Sequence, residues 1–187
     1  MHTVYIGMGA NVPSAAGPPP ATLAAAVDEL ASLGHIVMRS SLYTTDPVGY
    51  ADQPQFINAV IALETCLQPR ELLDRLLAIE RLFGRDRSSG IQNGPRTLDL
   101  DILLMDDLKI SEPGLEIPHP RLAERAFVLV PLNEIAPQAL VPRHDKTVAE
   151  LLRNLLESER QSHAVVPIQA DDGGAGPVSR HRGPGAA

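Results

Sequence analysis

Apolar positions change period several times along the chain, and each change predicts an element. Residues 3–9 (TVYIGMG) form a short apolar run and predict a buried strand. Pro13 to Pro20, with four prolines and a glycine, predict a loop. After Thr22, LAAAVDELASL has i, i+3, i+4 apolar spacing and predicts a helix that Gly34 ends. Residues 35–43 (HIVMRSSLY) alternate and predict a second strand, and the turn-rich TTDPVGYADQPQ that follows predicts a loop. FINAVIALET, residues 56–65, predicts a third strand. Pro69 opens PRELLDRLLAIERLFG, a helix with an apolar stripe through Leu72, Leu73, Leu76, Leu77 and Ile79 and a stop at Gly84. RDRSSGIQNGPR predicts a mobile polar loop, and TLDLDILLM, residues 97–105, a fourth strand.

The order βαββαβ predicts an α+β fold, a ferredoxin-like sandwich in which helices pack on one face of an antiparallel sheet. A C-terminal extension follows. It holds a short apolar segment, AFVLVPLNEI, and a helix near residues 147–156, both expected to cover the sheet or its edge. From Ala170 the composition turns glycine-rich and Val178 is the only bulky apolar side chain. Nothing there offsets ordering entropy. The expected organisation is one domain over residues 1–168 and a disordered tail over residues 169–187.

The 187 residues are 44% hydrophobic and 21% charged, which suits a single globular domain. The net charge of −7 argues against general nucleic-acid binding. The single cysteine, Cys66, excludes an internal disulfide and a cysteine-based zinc site, and is expected to be a buried, inert thiol. No apolar run reaches the length of a membrane span, and the N-terminus does not read as a signal peptide. A soluble cytoplasmic protein is expected.

The sharpest chemical signal is GPRTLDLDILL, residues 94–104. Alternation in a strand puts Asp99 and Asp101 on one face, with Leu98, Leu100, Ile102 and Leu104 on the other and Leu103 and Met105 further along the Asp face. Paired carboxylates opening a buried strand repel one another and lose hydration, and a divalent cation relieves both costs. Oxygen ligands without a nearby thiol favour Mg²⁺, which takes one or two carboxylates plus phosphate oxygens. An isolated D-x-D reads first as a solvated strand end. The surroundings change that balance. Between residues 81 and 98 stand Arg81, Arg85, Arg87 and Arg96 against one acid, Asp86. Guanidinium forks suit phosphate, so a polyphosphate held from two sides is expected. The chain has two lysines and no G-x-x-x-x-G-K, and Val12 takes the third glycine place of G-x-G-x-x-G. A Walker or Rossmann phosphate loop is therefore excluded.

A second cluster is planar in character. Phe56 and Asn58 lie two apart on a strand, so a ring could stack on one while the other reads its edge. Taken alone, Phe56 reads first as ordinary strand packing and Asn58 as a loop-capping bond. His119, between Pro118 and Pro120, is rigidly placed and suits either a phosphate contact or a surface position. Phe127 reads as core. The arginine loop lies far along the chain from Phe56 and Asn58, so it is expected to serve the chemical step without direct influence on what those two residues bind.

YIGMGAN, LYTTDPVG, DQPQFINAV, GPRTLDLDILL and IPHPRLAERAFVLVPLNEIAP occur in this order, followed by the closing helix. Together, over about residues 3–156, they resemble the 6-hydroxymethyl-7,8-dihydropterin pyrophosphokinases of folate biosynthesis. The resemblance implies an ATP-dependent diphosphokinase that transfers diphosphate to the hydroxymethyl group of the dihydropterin and releases AMP. It implies two Mg²⁺ ions held by Asp99 and Asp101. It implies a pterin site at Thr45, Val48, Gly49, Phe56, Asn58 and Phe127, with the ring between the two phenylalanines. It implies nucleotide contacts from Arg85, Arg87, Arg96, His119 and Arg125, with Arg85 and Arg96 also catalytic. Its partners would be small molecules only, with no nucleic acid and no membrane. The chain departs from the family pattern at Ser88, Gln92, Asn93 and Pro120. Two other readings compete: a metal-dependent phosphohydrolase on the same D-x-D, and a non-catalytic ferredoxin-like binding module.

Overall fold

The computed structural model describes residues 1–85, 94–158 and 165–168. Arg87, Ser88, Gln92, Asn93 and the tail from residue 169 lie outside the described residues. The strands are β1 (His2–Ala10), β2 (His35–Arg39), β3 (Tyr43–Thr45), β4 (Phe56–Thr65), β5 (Asp99–Met105), β6 (Ile110–Glu112), β7 (Leu115–Ile117), β8 (Leu140–Val141), β9 (Lys146–Thr147) and β10 (Val165–Pro167). The helices are α1 (Pro19–Leu30), α2 (Pro69–Leu82), α3 (Ala126–Ile135) and α4 (Val148–Ser158).

The main sheet has the order β10-β3-β4-β1-β5, with β2 also against β4, and every pairing is antiparallel. Strand alternation splits the core in two. Val4, Ile6, Met8 and Ala10 of β1 face α1 and α2, packing with Leu23, Leu30, Leu72 and Leu76. Val60 and Ala62 of β4 face the other way, against Leu129 and Leu132 of α3 and Leu151 of α4. Helices therefore cover both faces: α1 and α2 cover one, as the βαββαβ pattern predicts, and the C-terminal extension roofs the other.

Several local expectations are corrected. The first helix begins at Pro19, inside the expected loop, because proline at the first helical positions lacks only an N–H that has no partner anyway. The second predicted strand breaks at Ser40–Leu42 into β2 and β3, which pair with opposite halves of β4. AFVLVPLNEI is the helix α3, despite Pro131 within it. A continuous apolar run does not distinguish strand from helix by period, and the proline argues against a helix interior. Cys66 is exposed just after β4.

The largest correction concerns β5. Tyr5 pairs with Leu104 and Ile6 with Ile102, so Leu103 is an inserted residue, a β-bulge. Beyond it the alternation inverts. Leu104 joins the α3 side and Met105 the α1–α2 side, opposite to simple alternation from Asp99. The Leu103 carbonyl accepts the His119 N–H at 2.9 Å, which holds the 117–121 segment beside the strand. At the start of β5 the buried Glu80 of α2 accepts the Leu100 N–H at 2.8 Å. Asp99 and Asp101 thus sit on a strand anchored from below and from the side.

Candidate active site

The roof of α3 and α4 stops short of one end of its sheet face, and the uncovered end is an open cleft of about 810 Å³ including its mouth. Its floor follows from register. Gly9 of β1 pairs with Asn58 of β4 on one side and Asp99 of β5 on the other. Gly7 pairs in the same way with Val60 and Asp101. Two strand spacings, about 10 Å, separate the Asn58 column from the carboxylates. Between them the floor is bare backbone. A Cβ on Gly9 would meet Asn58 Oδ1 at 3.0 Å, and one on Gly7 would meet Leu103 Cδ2 at 3.2 Å. Sequence reading treated these glycines only as a failed phosphate loop. Glycines two apart within a strand are themselves a signal of close backbone approach.

On the β4 side, Thr45, Val48, Phe56 and Asn58 line the cleft, as does Phe127 at the start of α3. Asn58 Nδ2 donates to Thr45 Oγ1 at 2.7 Å, and both residues are buried, so the amide is fixed in orientation. Phe127 is not simply core: it is half-buried and lines the opening. Gly49 is exposed, with φ 95° in the turn after Val48, and does not line the cleft.

On the β5 side, Asp99 and Asp101 line the cleft with Arg96, Arg121 and Arg125. Asp99 is bridged by Arg96 Nη1 at 2.5 Å and by Arg85 Nη2 at 3.5 Å. Arg85 stands behind this carboxylate and not on the lining itself. The Arg96 guanidinium also lies 5.5 Å from the centroid of the Phe56 ring, and Arg125 makes the same contact with Phe127. The expectation that Arg96 is remote from the aromatic–amide face is therefore overturned: distance along the chain is not distance in the fold.

A buried side chain at the end of β1 ties these parts together. Asn11 donates to Gln53 Oε1 at 2.9 Å and to the Pro54 carbonyl at 3.0 Å, and accepts the Arg96 N–H at 2.8 Å. Sequence reading missed Asn11, and it missed Arg121, whose pairing with Glu124 at 3.7 Å leaves it exposed at the rim. An arginine two residues after His119 was the available signal.

His119 flanks the cleft without lining it. Burial, then the nearby Arg125 and Arg121, push its pKa down to about 4, so the imidazole is neutral near pH 7. Burial and Arg121 also lower Arg125, which remains a cation. Arg96, Arg121 and Arg125 share the lining with Asp46, Asp99 and Asp101, so the cleft sets cationic and anionic groups side by side. The described residues contain no group of three or more His, Cys, Asp or Glu able to cage a metal. Two carboxylates beside a bare floor nevertheless fit Mg²⁺, which commonly completes its shell with substrate phosphate oxygens and water.

Similarity to known proteins follows the same residues. The sequence profile of 7,8-dihydro-6-hydroxymethylpterin-pyrophosphokinase (HPPK) matches residues 5–137. The 2-amino-4-hydroxy-6-hydroxymethyldihydropteridine pyrophosphokinase of Pseudomonas aeruginosa is 45% identical over 144 residues, covering 76% of this chain and 85% of that one. That of Methylorubrum extorquens is 41% identical, covering 83% and 94%. In fold, the crystal structure of wild-type Plasmodium falciparum HPPK-DHPS superposes with a TM-score of 0.65 at 15% identity, over 84% of this chain and 45% of that one. The chain belongs to the 7,8-dihydro-6-hydroxymethylpterin-pyrophosphokinase family.

Proposed function

We propose that this cleft is where the chain performs the diphosphate transfer of its family in folate biosynthesis, from ATP to the hydroxymethyl group of 6-hydroxymethyl-7,8-dihydropterin, with release of AMP. The observation that carries the assignment is one row of the sheet. Asn58, bare Gly9 and Asp99 lie side by side, so a planar ring held at Asn58 reaches the carboxylates across about 10 Å of open backbone.

Phe56 and Phe127 form the faces of the ring slot, and Thr45 holds Asn58 so that its amide reads the ring edge. Val48 borders the outer side, with the Gly49 turn after it. Asp99 and Asp101 are the residues to hold two Mg²⁺ ions, which when bound supply charge neutralisation at the phosphoryl oxygens. Arg85, Arg96, Arg125 and Arg121 take the triphosphate, with Arg87 as a further family position. His119, neutral in the ligand-free protein, offers a hydrogen bond and not a charge. Positioning and fixed charge then carry the reaction. In the same way, the order β5-β1-β4-β3, with α1 and α2 as the two crossings on one face, supports a ferredoxin-like core.

The test is AMP release from ATP and Mg²⁺ with and without the hydroxymethyl dihydropterin. AMP formed only with the pterin, alongside its diphosphate ester, is the expected result. Phosphate release independent of the pterin would favour a phosphohydrolase. Binding without turnover would favour a non-catalytic module.

A further inference from the structure

The break between β2 and β3 interrupts their pairing with β4 at Ser40–Leu42. Ser40 regains partial pairing, donating its N–H to the Val60 carbonyl at 2.9 Å. The next residues are held from outside the sheet. Glu134, near the C-terminal end of α3, accepts the Ser41 N–H at 2.9 Å through Oε2 and the Ser41 hydroxyl at 2.8 Å through Oε1. It also accepts the Tyr43 hydroxyl at 2.9 Å. Burial, then this carboxylate, raise the Tyr43 pKa to about 12, so the phenol stays a donor.

The two ends of this clamp lead to the two walls of the ring slot. Tyr43 pairs with Asn58 in the sheet and Thr45 with Phe56, and Thr45 Oγ1 receives the Asn58 amide. Seven residues back from Glu134 along α3, about 10 Å, is Phe127. One carboxylate therefore joins the helix that carries one aromatic wall to the strand that fixes the other wall and the edge-reading amide. None of its partners is a charged residue or lines the cleft.

We infer that Glu134 is a positioning residue that sets the width and alignment of the pterin slot and reaches the nucleotide side only secondarily, through Arg96 and Arg125 against the two aromatic walls. The inference rests on the pterin reading of that slot. Three variants of the full chain test it: Glu134→Ala, Glu134→Gln and Tyr43→Phe. Pterin affinity is measured calorimetrically with Mg²⁺ and a non-transferable ATP analogue, and steady-state constants are measured beside it. Glu134→Ala is expected to weaken pterin binding at least fivefold and to raise the pterin KM by a similar factor. Affinity for the ATP analogue should stay within twofold, and kcat should fall by less than kcat/KM for pterin. Glu134→Gln, which keeps the side-chain length and one accepting oxygen and replaces the other with an NH2 donor, recovers part of the loss. A folded Glu134→Ala protein with pterin affinity within twofold of the parent overturns the inference, as does an equal loss of nucleotide and pterin affinity. If Glu134→Ala does not fold, Tyr43→Phe decides: it removes one hydrogen bond only, and an unchanged pterin affinity there overturns the inference. The parent chain is the control. Failure of the parent to bind pterin overturns the reading of the slot itself, whereas parent binding with unaffected variants overturns only the role of Glu134.

Discussion

Arg96 lies 5.5 Å from the Phe56 ring centroid with one face of its guanidinium while its Nη1 bridges Asp99 at 2.5 Å, so a single side chain touches both halves of the cleft. Arg96→Ala should consequently damage both. Turnover is expected to fall by about 10²-fold or more, since a charge-assisted contact that strengthens at the transition state is lost. Pterin affinity should fall as well, by about 2- to 30-fold on the scale of a cation–π contact. Single-turnover kinetics beside equilibrium pterin binding separates the two, and unchanged pterin affinity would show that the Phe56 contact is incidental.

Both aspartates should be needed for turnover. Asp101→Asn and Asp99→Asn are each expected to lose at least about 10²-fold in Mg²⁺-dependent turnover, because Lewis-acid assistance contributes several kcal/mol. Relief of carboxylate repulsion on its own would make Asp99→Ala more stable. The bridges from Arg96 and Arg85 reverse that expectation, because both arginines lose a partner. Metal-free Asp99→Ala should melt below the parent chain; a higher Tm would contradict it.

Gly34 tests the fold away from the site. Its backbone is extended, yet a Cβ there would stand 2.1 Å from the Glu64 carbonyl oxygen. Neither partner is a flexible side chain, so β2 must shift against β4. Gly34→Ala is expected to cost about 3 kcal/mol, a fall in Tm of roughly 6–12 °C. A thermal scan showing no fall would mean that the turn into β2 relaxes freely.

His119 gives a pH signature. Its folded pKa of about 4 lies below the ordinary 6.5, so between those values the unfolded chain binds a proton that the folded chain refuses. The stability it supports is complete above pH 6.5, falls as pH drops from 6.5 to 4, and changes little further below. The difference on that limb is about 3 kcal/mol. Urea unfolding across pH 4–7 should show a shallower limb in His119→Gln; parallel limbs in the two proteins would remove His119 as the cause.

What the chain revealed before its structure depended on how local each signal was. FINAVIALET and PRELLDRLLAIERL carry their period within one element, and both elements stand where expected. The Asp99–Asp101 pairing was equally local, since two residues on one strand share a face whatever surrounds them. Leu104 and Met105 were misassigned because a bulge is set by the partner strand: Tyr5 and Ile6 skip Leu103, and nothing in TLDLDILLM announces it. Arg96 over Phe56 was illegible for the same reason, since it follows from β5 and β4 both flanking β1. Arg121 and Asn11 act through loops that meet only in the fold.

The bare floor at Gly7 and Gly9 bears on how the protein could escape an inhibitor. Resistance usually removes a side chain that a ligand grips or adds one that evicts it. At these two positions there is no side chain to remove, and the contact surface is main chain that every substitution retains. Adding even a methyl group crowds Leu103 or Asn58, which must give way, as well as an intruder. A molecule resting on that floor between the amide and the carboxylates would thus face a target that cannot withdraw the surface without spoiling its own grip on substrate.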